Sequence, residues 1–174
     1  MGYELAGGVG VKMAKPDSEV FVMVGDGSYL MLNSEIATSV MLGHKIVAVV
    51  LDNRGYGCIH RLQQFCGGPG FNNMLEDCLS VDEGAPKTDF AAHAAALGAL
   101  SEQVGNIQEL EQALERAKAA DRSYVIAIDT DGSTDTQDGG AWWDVAVPEV
   151  SERAEVNTAR ERYEAYKARQ FQNL

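Results

Sequence analysis

Two short segments carry the residue types from which a cation and phosphate site can be built. Gly25-Asp26-Gly27 and Asp52-Asn53-Arg54-Gly55 each follow an apolar run, with 25 residues between Gly27 and Asn53. A carboxylate oxygen from Asp26, an amide oxygen from Asn53 and a loop carbonyl are hard donors suited to Mg2+ or Ca2+, and Mg2+ completes its octahedron with water and substrate phosphates. A cation would also account for an aspartate in a phosphate-binding turn, because Asp26 alone repels a diphosphate. The competing reading makes both segments tight strand-to-helix turns, with Asp26 and Asn53 serving local turn hydrogen bonds. A dinucleotide site fits poorly: Gly25-Asp26-Gly27-Ser28-Tyr29-Leu30 lacks the third glycine of G-x-G-x-x-G, and there is no G-K-[ST] phosphate loop.

For the two segments to share a ligand they must end neighbouring strands, which lie about 4.8 Å apart. Residues 19–24 read as a short apolar strand, and residues 45–51 as a second one. The unbroken Ile-Val-Ala-Val-Val-Leu run of that second strand implies burial on both faces, as in a parallel sheet covered by helices. A small-residue helix is expected over 2–14 and another over 33–42, closed by Gly43; a short helix follows the Asn53 segment. Residues 65–87, rich in Gly, Pro and acidic side chains, read as a long loop that is mobile without cofactor and can act as a lid. Beyond it come a helix over 89–97, a strand over 100–104, an amphipathic helix capped by Asn106, a strand over 124–129 and a charged helix over 152–170. Strands alternating with helices predict an α/β fold, a doubly wound, mostly parallel sheet with helices on both faces. Ligands on such sheets bind beyond the strand C-termini.

With 174 residues, 45% of them apolar, the chain suits one compact core. The expected division is a cofactor-binding domain over 1–150, its upstream part missing, and a helical tail over 151–174. A formal charge of −12 opposes generic attraction to nucleic acid or anionic lipid, so a small-molecule ligand is the expectation and neither nucleic acid nor membrane a partner. The N-terminus lacks a basic segment followed by an apolar core, and no apolar run approaches membrane-spanning length, which reads as cytoplasmic. Cys58, Cys66 and Cys78 contain no C-x-x-C pair and read as ordinary reduced thiols.

The pair of segments resembles the signature of thiamin-diphosphate-dependent enzymes, a G-D-G followed after a set interval by N-N, with Asp52 here in place of the first asparagine. The resemblance implies thiamin diphosphate and Mg2+ as cofactors, with Asp26, Asn53 and the Gly55 carbonyl on the metal and Gly25, Gly27, Ser28 and Tyr56 around the diphosphate. Met1-Gly2-Tyr3, ahead of Ala14-Lys15-Pro16, looks like the family segment whose bulky apolar residue props the cofactor into its V shape. Met1 falls on that position, or is only a starting methionine. Asp89-Phe90-Ala91, Asp138-Gly139-Gly140-Ala141-Trp142-Trp143-Asp144-Val145 and Glu149-Val150-Ser151 are most similar to the branch formed by the trihydroxycyclohexane-1,2-dione hydrolases of inositol catabolism. That implies a cyclic polyol dione as substrate, cleavage of a C–C bond to 5-deoxyglucuronate, a homo-oligomer of at least two subunits, and an activating glutamate in a domain outside these residues. Acetohydroxyacid-synthase-like or decarboxylase-like chemistry, or a non-catalytic Mg-nucleotide module, are the alternatives. Of the histidines, His44 sits at a turn and His93 among alanines, leaving His60 as the one candidate substrate contact. Trp142 and Trp143 suit an interface better than a ligand.

Overall fold

The computed structural model describes residues 1–78, 87–132 and 146–169. Trp142, Trp143 and the rest of their motif therefore lie outside the described residues. Four strands, β1 (Phe21–Gly25), β2 (Val47–Asp52), β3 (Leu100–Val104) and β4 (Tyr124–Asp129), form one parallel sheet in the order β1-β2-β4-β3. The expected adjacency of the first two strands holds, in a register that sets Gly25 beside Leu51.

Helices cover both faces of this sheet. On one face α1 (Glu4–Ala14), α3 (Glu35–Leu42) and α5 (Phe90–Ala96) bury Leu5, Val9, Ile36, Phe90 and Ala94 against Val22, Val24, Ala48, Val50, Val125 and Ala127. Gly8 lies so close to the Val22 side chain that a Cβ there would clash with it. On the other face α6 (Ile107–Ala119) sets Ala113 and Ala117 against Val47, Val49, Ile126 and Ile128. The side chain of Asn106 caps α6, accepting from the Glu109 N–H at 2.9 Å, and Asp89 caps α5 through Ala92 N–H at 2.8 Å. Gly43, at φ 69°, closes α3 in the left-handed conformation that glycine adopts without cost.

Two expectations change. Gly25-Asp26-Gly27 is not a free turn leading to a helix at 33: a short helix, α2 (Asp26–Met31), begins at Asp26 itself. Nor are residues 65–78 an unstructured loop. They follow α4 (Gly57–Phe65), contain a 3-10 turn at Leu75–Cys78, and pair with the Asn53 segment through a Gly55–Met74 antiparallel bridge. Residues 79–86 of the expected lid lie outside the described set. The last helix, α7 (Ala154–Lys167), joins Val147 and Cys66 in a separate cluster through Val156 and Ala159. Cys58 and Cys66 are free thiols.

Candidate functional site

The C-terminal ends of β1 and β2 bring Asp26 and Asn53 together because parallel strands in register deliver their ends to the same edge. Asp26 is 5% exposed, and its Oδ2 accepts from the Gly55 N–H at 2.7 Å. Burial pushes the Asp26 carboxyl above the usual range; the Gly55 N–H pulls it back, and the neighbouring Asp52 charge pushes it up again. One terminal atom of the Asn53 amide lies 3.1 Å from Asp26 Oδ1 and 2.8 Å from the Gly55 carbonyl oxygen. Both neighbours are acceptors. In the metal-free protein the amide must turn its nitrogen to them and donate twice.

A divalent cation held by these groups would need the amide the other way round, with its oxygen toward the metal. Adjacent ligands of an octahedral Mg2+, at 2.0–2.1 Å from the metal, stand about 2.8–3.0 Å apart. The Asn53 amide atom stands at nearly that spacing from Asp26 Oδ1 and from the Gly55 oxygen, so a carboxylate, an amide and a carbonyl are compatible with such a cation once the amide turns. Among the described residues no cluster of three His, Cys, Asp or Glu side chains forms a metal site; this donor set is mixed and all oxygen.

Beside it opens a cavity of about 190 Å³. That is below the 300–1,000 Å³ of a complete small-molecule site, so these residues enclose only part of a ligand. Of the residues singled out in the sequence, Asp26, Gly27, Gly55 and Tyr56 line it. Asn53 reaches the oxygen cluster instead. Gly25, Ser28 and Met1 do not line the cavity; Ser28 is buried and Met1 is exposed. The Tyr56 ring lies against Gly27, where a Cβ would stand 2.5 Å from Cε1. His60 does not line the cavity; its ring packs against Gly70, with Nδ1 3.9 Å from Asp77. His93 instead hydrogen-bonds the buried Tyr29 hydroxyl at 2.8 Å, and burial pushes that phenol up to about 12.

The structure adds lining residues that sequence spacing did not indicate: Leu30, Asp52, Arg54, Asn72, Asn73, Met74, Leu75, Lys87, Thr88 and Phe90. Asp52 is buried and accepts the Arg54 N–H at 2.9 Å. Lys87 Nζ bonds both oxygens of Asp129, at 3.0 and 2.6 Å, and Gln103 donates to the same carboxylate at 3.2 Å. Arg54 and Lys87 line the cavity beside the carboxyl groups of Asp26 and Asp52, and the Lys87 charge is already paired with Asp129. The register of β2 and β4 sets Asp52 beside Asp129, and Lys87 pairs with the second of these carboxylates.

Residues 1–128 match the family model described as thiamine pyrophosphate enzyme, C-terminal TPP binding domain. The chain belongs to this family. Its binding domain carries the cofactor that the G-D-G and Asn53 segments implied. Two relatives match over 92% of the chain: 3D-(3,5/4)-trihydroxycyclohexane-1,2-dione hydrolase 2 of Bacillus cereus, 41% identical over 165 residues, and 3D-(3,5/4)-trihydroxycyclohexane-1,2-dione hydrolase of Halalkalibacterium halodurans, 42% identical over 163. The chain spans only 26% and 25% of their respective lengths. A solved thiamine diphosphate-dependent 4-hydroxybenzoylformate decarboxylase from Rhodococcus jostii RHA1 matches 75% of this chain and 23% of its own, with a TM-score of 0.61 and 24% identity. That likeness establishes the thiamin-diphosphate-binding α/β fold. No helix among the described residues is long and apolar enough to cross a membrane.

Proposed function

We propose that this chain is the diphosphate- and Mg2+-binding part of a hydrolase that opens a cyclic polyol 1,2-dione by cleaving a C–C bond, trihydroxycyclohexane-1,2-dione being the substrate that its 41–42% identical relatives are named for. The observation that carries the reading is the Asn53 amide, whose terminal atom faces two oxygens and no donor at the spacing of octahedral ligands. Asp26, Asn53 and the Gly55 carbonyl hold the cation. Gly27 and Tyr56, on the cavity wall, border the diphosphate; Gly25 and Ser28 flank Gly27 at the start of α2 without lining the cavity, and Met1 supports the far end of the cofactor. Bound thiamin diphosphate supplies a carbanion nucleophile and an electron sink, chemistry no side chain provides.

The protein's part is placement. Asp26 is the one ionisable group among the three donors; burial favours its neutral form, and a cation beside it favours the carboxylate. Arg54, at the cavity wall, offsets part of the charge of an anionic ligand. The intact enzyme works as a homo-oligomer in which a second domain completes the pocket around the other end of the cofactor. Calorimetry with Mg2+ and thiamin diphosphate on the full-length enzyme tests the site: Asp26→Ala should abolish metal-dependent binding, and wild-type affinity in that variant would remove the assignment. Turnover of the cyclic dione, followed through the ring-opened acid, tests the substrate.

A further inference from the structure

We propose that Gln63, outside the cavity, is the positioning residue that aims the Gly55 carbonyl at the cation, an inference that rests on the cation site assigned above. The loop holding that carbonyl does not support itself. Arg54 and Gly55 have φ of 62° and 150°, conformations that side-chain-bearing residues seldom hold without outside contacts.

Those contacts come from one short segment. Leu75 N–H donates to the Arg54 carbonyl and Tyr56 N–H to the Asn73 carbonyl, each at 2.8 Å, on either side of the Gly55–Met74 bridge. The Tyr56 N–H and the Gly55 C=O belong to the same planar trans peptide and point in opposite directions. Fixing the N–H on Asn73 therefore fixes where the Gly55 oxygen faces, which is toward the Asn53 amide. A rotation of that peptide would remove one of three metal donors while leaving the sheet intact.

Residues 71–75 belong to no sheet, so something else must hold Asn73. Gln63, in the last turns of α4, does so with one atom: its Oε1 accepts the Phe71 N–H at 3.0 Å and Asn73 Nδ2 at 2.6 Å. The Gln63 backbone oxygen also accepts the Gly68 N–H at 2.9 Å, closing the start of the same segment. Gln63 does not line the cavity. Its influence on the metal runs through two hydrogen bonds and one peptide plane. Loss of such an outer-shell support typically lowers metal affinity by 10–100-fold.

The test uses the full-length enzyme with saturating thiamin diphosphate, titrated with Mg2+ and read by calorimetry. Gln63→Leu, which removes the acceptor, should raise half-saturating Mg2+ by roughly tenfold. Gln63→Glu keeps an acceptor for both donors and should stay close to wild type, a rescue that a general packing role would not produce. Wild-type Mg2+ affinity in Gln63→Leu, or equal weakening in both variants, overturns the proposal. If Asp26→Ala also binds Mg2+ normally, the cation site itself is wrong, which separates the two failures. Should Gln63→Leu not fold, Asn73→Ala removes the 2.6 Å bond together with one cavity-lining side chain; an unchanged Mg2+ half-saturation in that variant overturns the proposal as well.

Discussion

Asp26 pays for its function in stability. Its folded pKa is raised, so the fold favours the protonated carboxyl; the stability held below the unfolded value of 3.8 is lost as pH rises through the folded pKa. A cation reverses that cost by pairing with the ionised form. The Mg2+-induced increase in Tm should therefore be larger at pH 7 than at pH 4, measured by calorimetric melting. Asp26→Asn keeps an acceptor for the Gly55 N–H but replaces the oxygen that faces the Asn53 amide by a donor. The variant should gain no Tm from Mg2+ at either pH, and a Mg2+-induced rise equal to that of wild type would show that the cation sits elsewhere. At the neighbouring position, Gly27→Ala drives a methyl into the Tyr56 ring, 2.5 Å from Cε1. Tyr56 must swing away, and thiamin diphosphate affinity should fall about tenfold with little change in Tm; unaltered binding would show that ring and diphosphate do not share this space.

Among the elements, α7 is joined to the body of the protein by a small contact. Val156 and Ala159 pack with Val147 and Cys66, and Gly67, at φ 82°, brings its backbone against the Glu155 carbonyl. A side chain at Gly67 meets that carbonyl and must also hold a left-handed conformation, two penalties of about 1–2 kcal/mol each. Gly67→Val is expected to release α7 without unfolding the sheet, so hydrogen exchange should rise across Ala154–Lys167 and stay protected in β2 and β4. Global loss of protection would make α7 integral to the core. Much of this level was readable beforehand: the periodicity and cap of α6 and the all-apolar run of β2 each follow from local residue types. The 3-10 turn and the Gly55–Met74 bridge were not, because residues 65–78 have no period and their order comes from hydrogen bonds to α4 and to the Arg54–Tyr56 loop.

On the scale of the molecule, the sheet is unevenly covered. α6 packs on β2, β3 and β4, while Phe21 and Met23, on the same face of edge strand β1, remain 45% and 67% exposed. Exposed apolar surface on an edge strand invites association. Expressed alone, this chain should self-associate, and Met23→Lys should shift it toward monomer in sedimentation velocity; a wild-type chain that is monomeric at high concentration would refute this. The same isolated chain should show no turnover of the cyclic dione and weak thiamin diphosphate binding, because its cavity of about 190 Å³ encloses only part of a ligand. Turnover matching the intact enzyme would show that one domain suffices.

From sequence alone came the parallel α/β architecture, the two strand ends that carry Asp26 and Asn53, and the donor types that suit Mg2+. These depend on hydrophobic period and residue identity, which are local properties of the chain. Only the tertiary structure decided that Asp26 is buried and begins a helix, that Tyr56 covers Gly27, and that Lys87 reaches the cavity while His60 does not. It also decided which way the Gly55 carbonyl faces. That direction is set by Asn73 and Gln63, held through hydrogen bonds between segments whose sequence carries no periodic signal, so no reading of residue spacing could assign it.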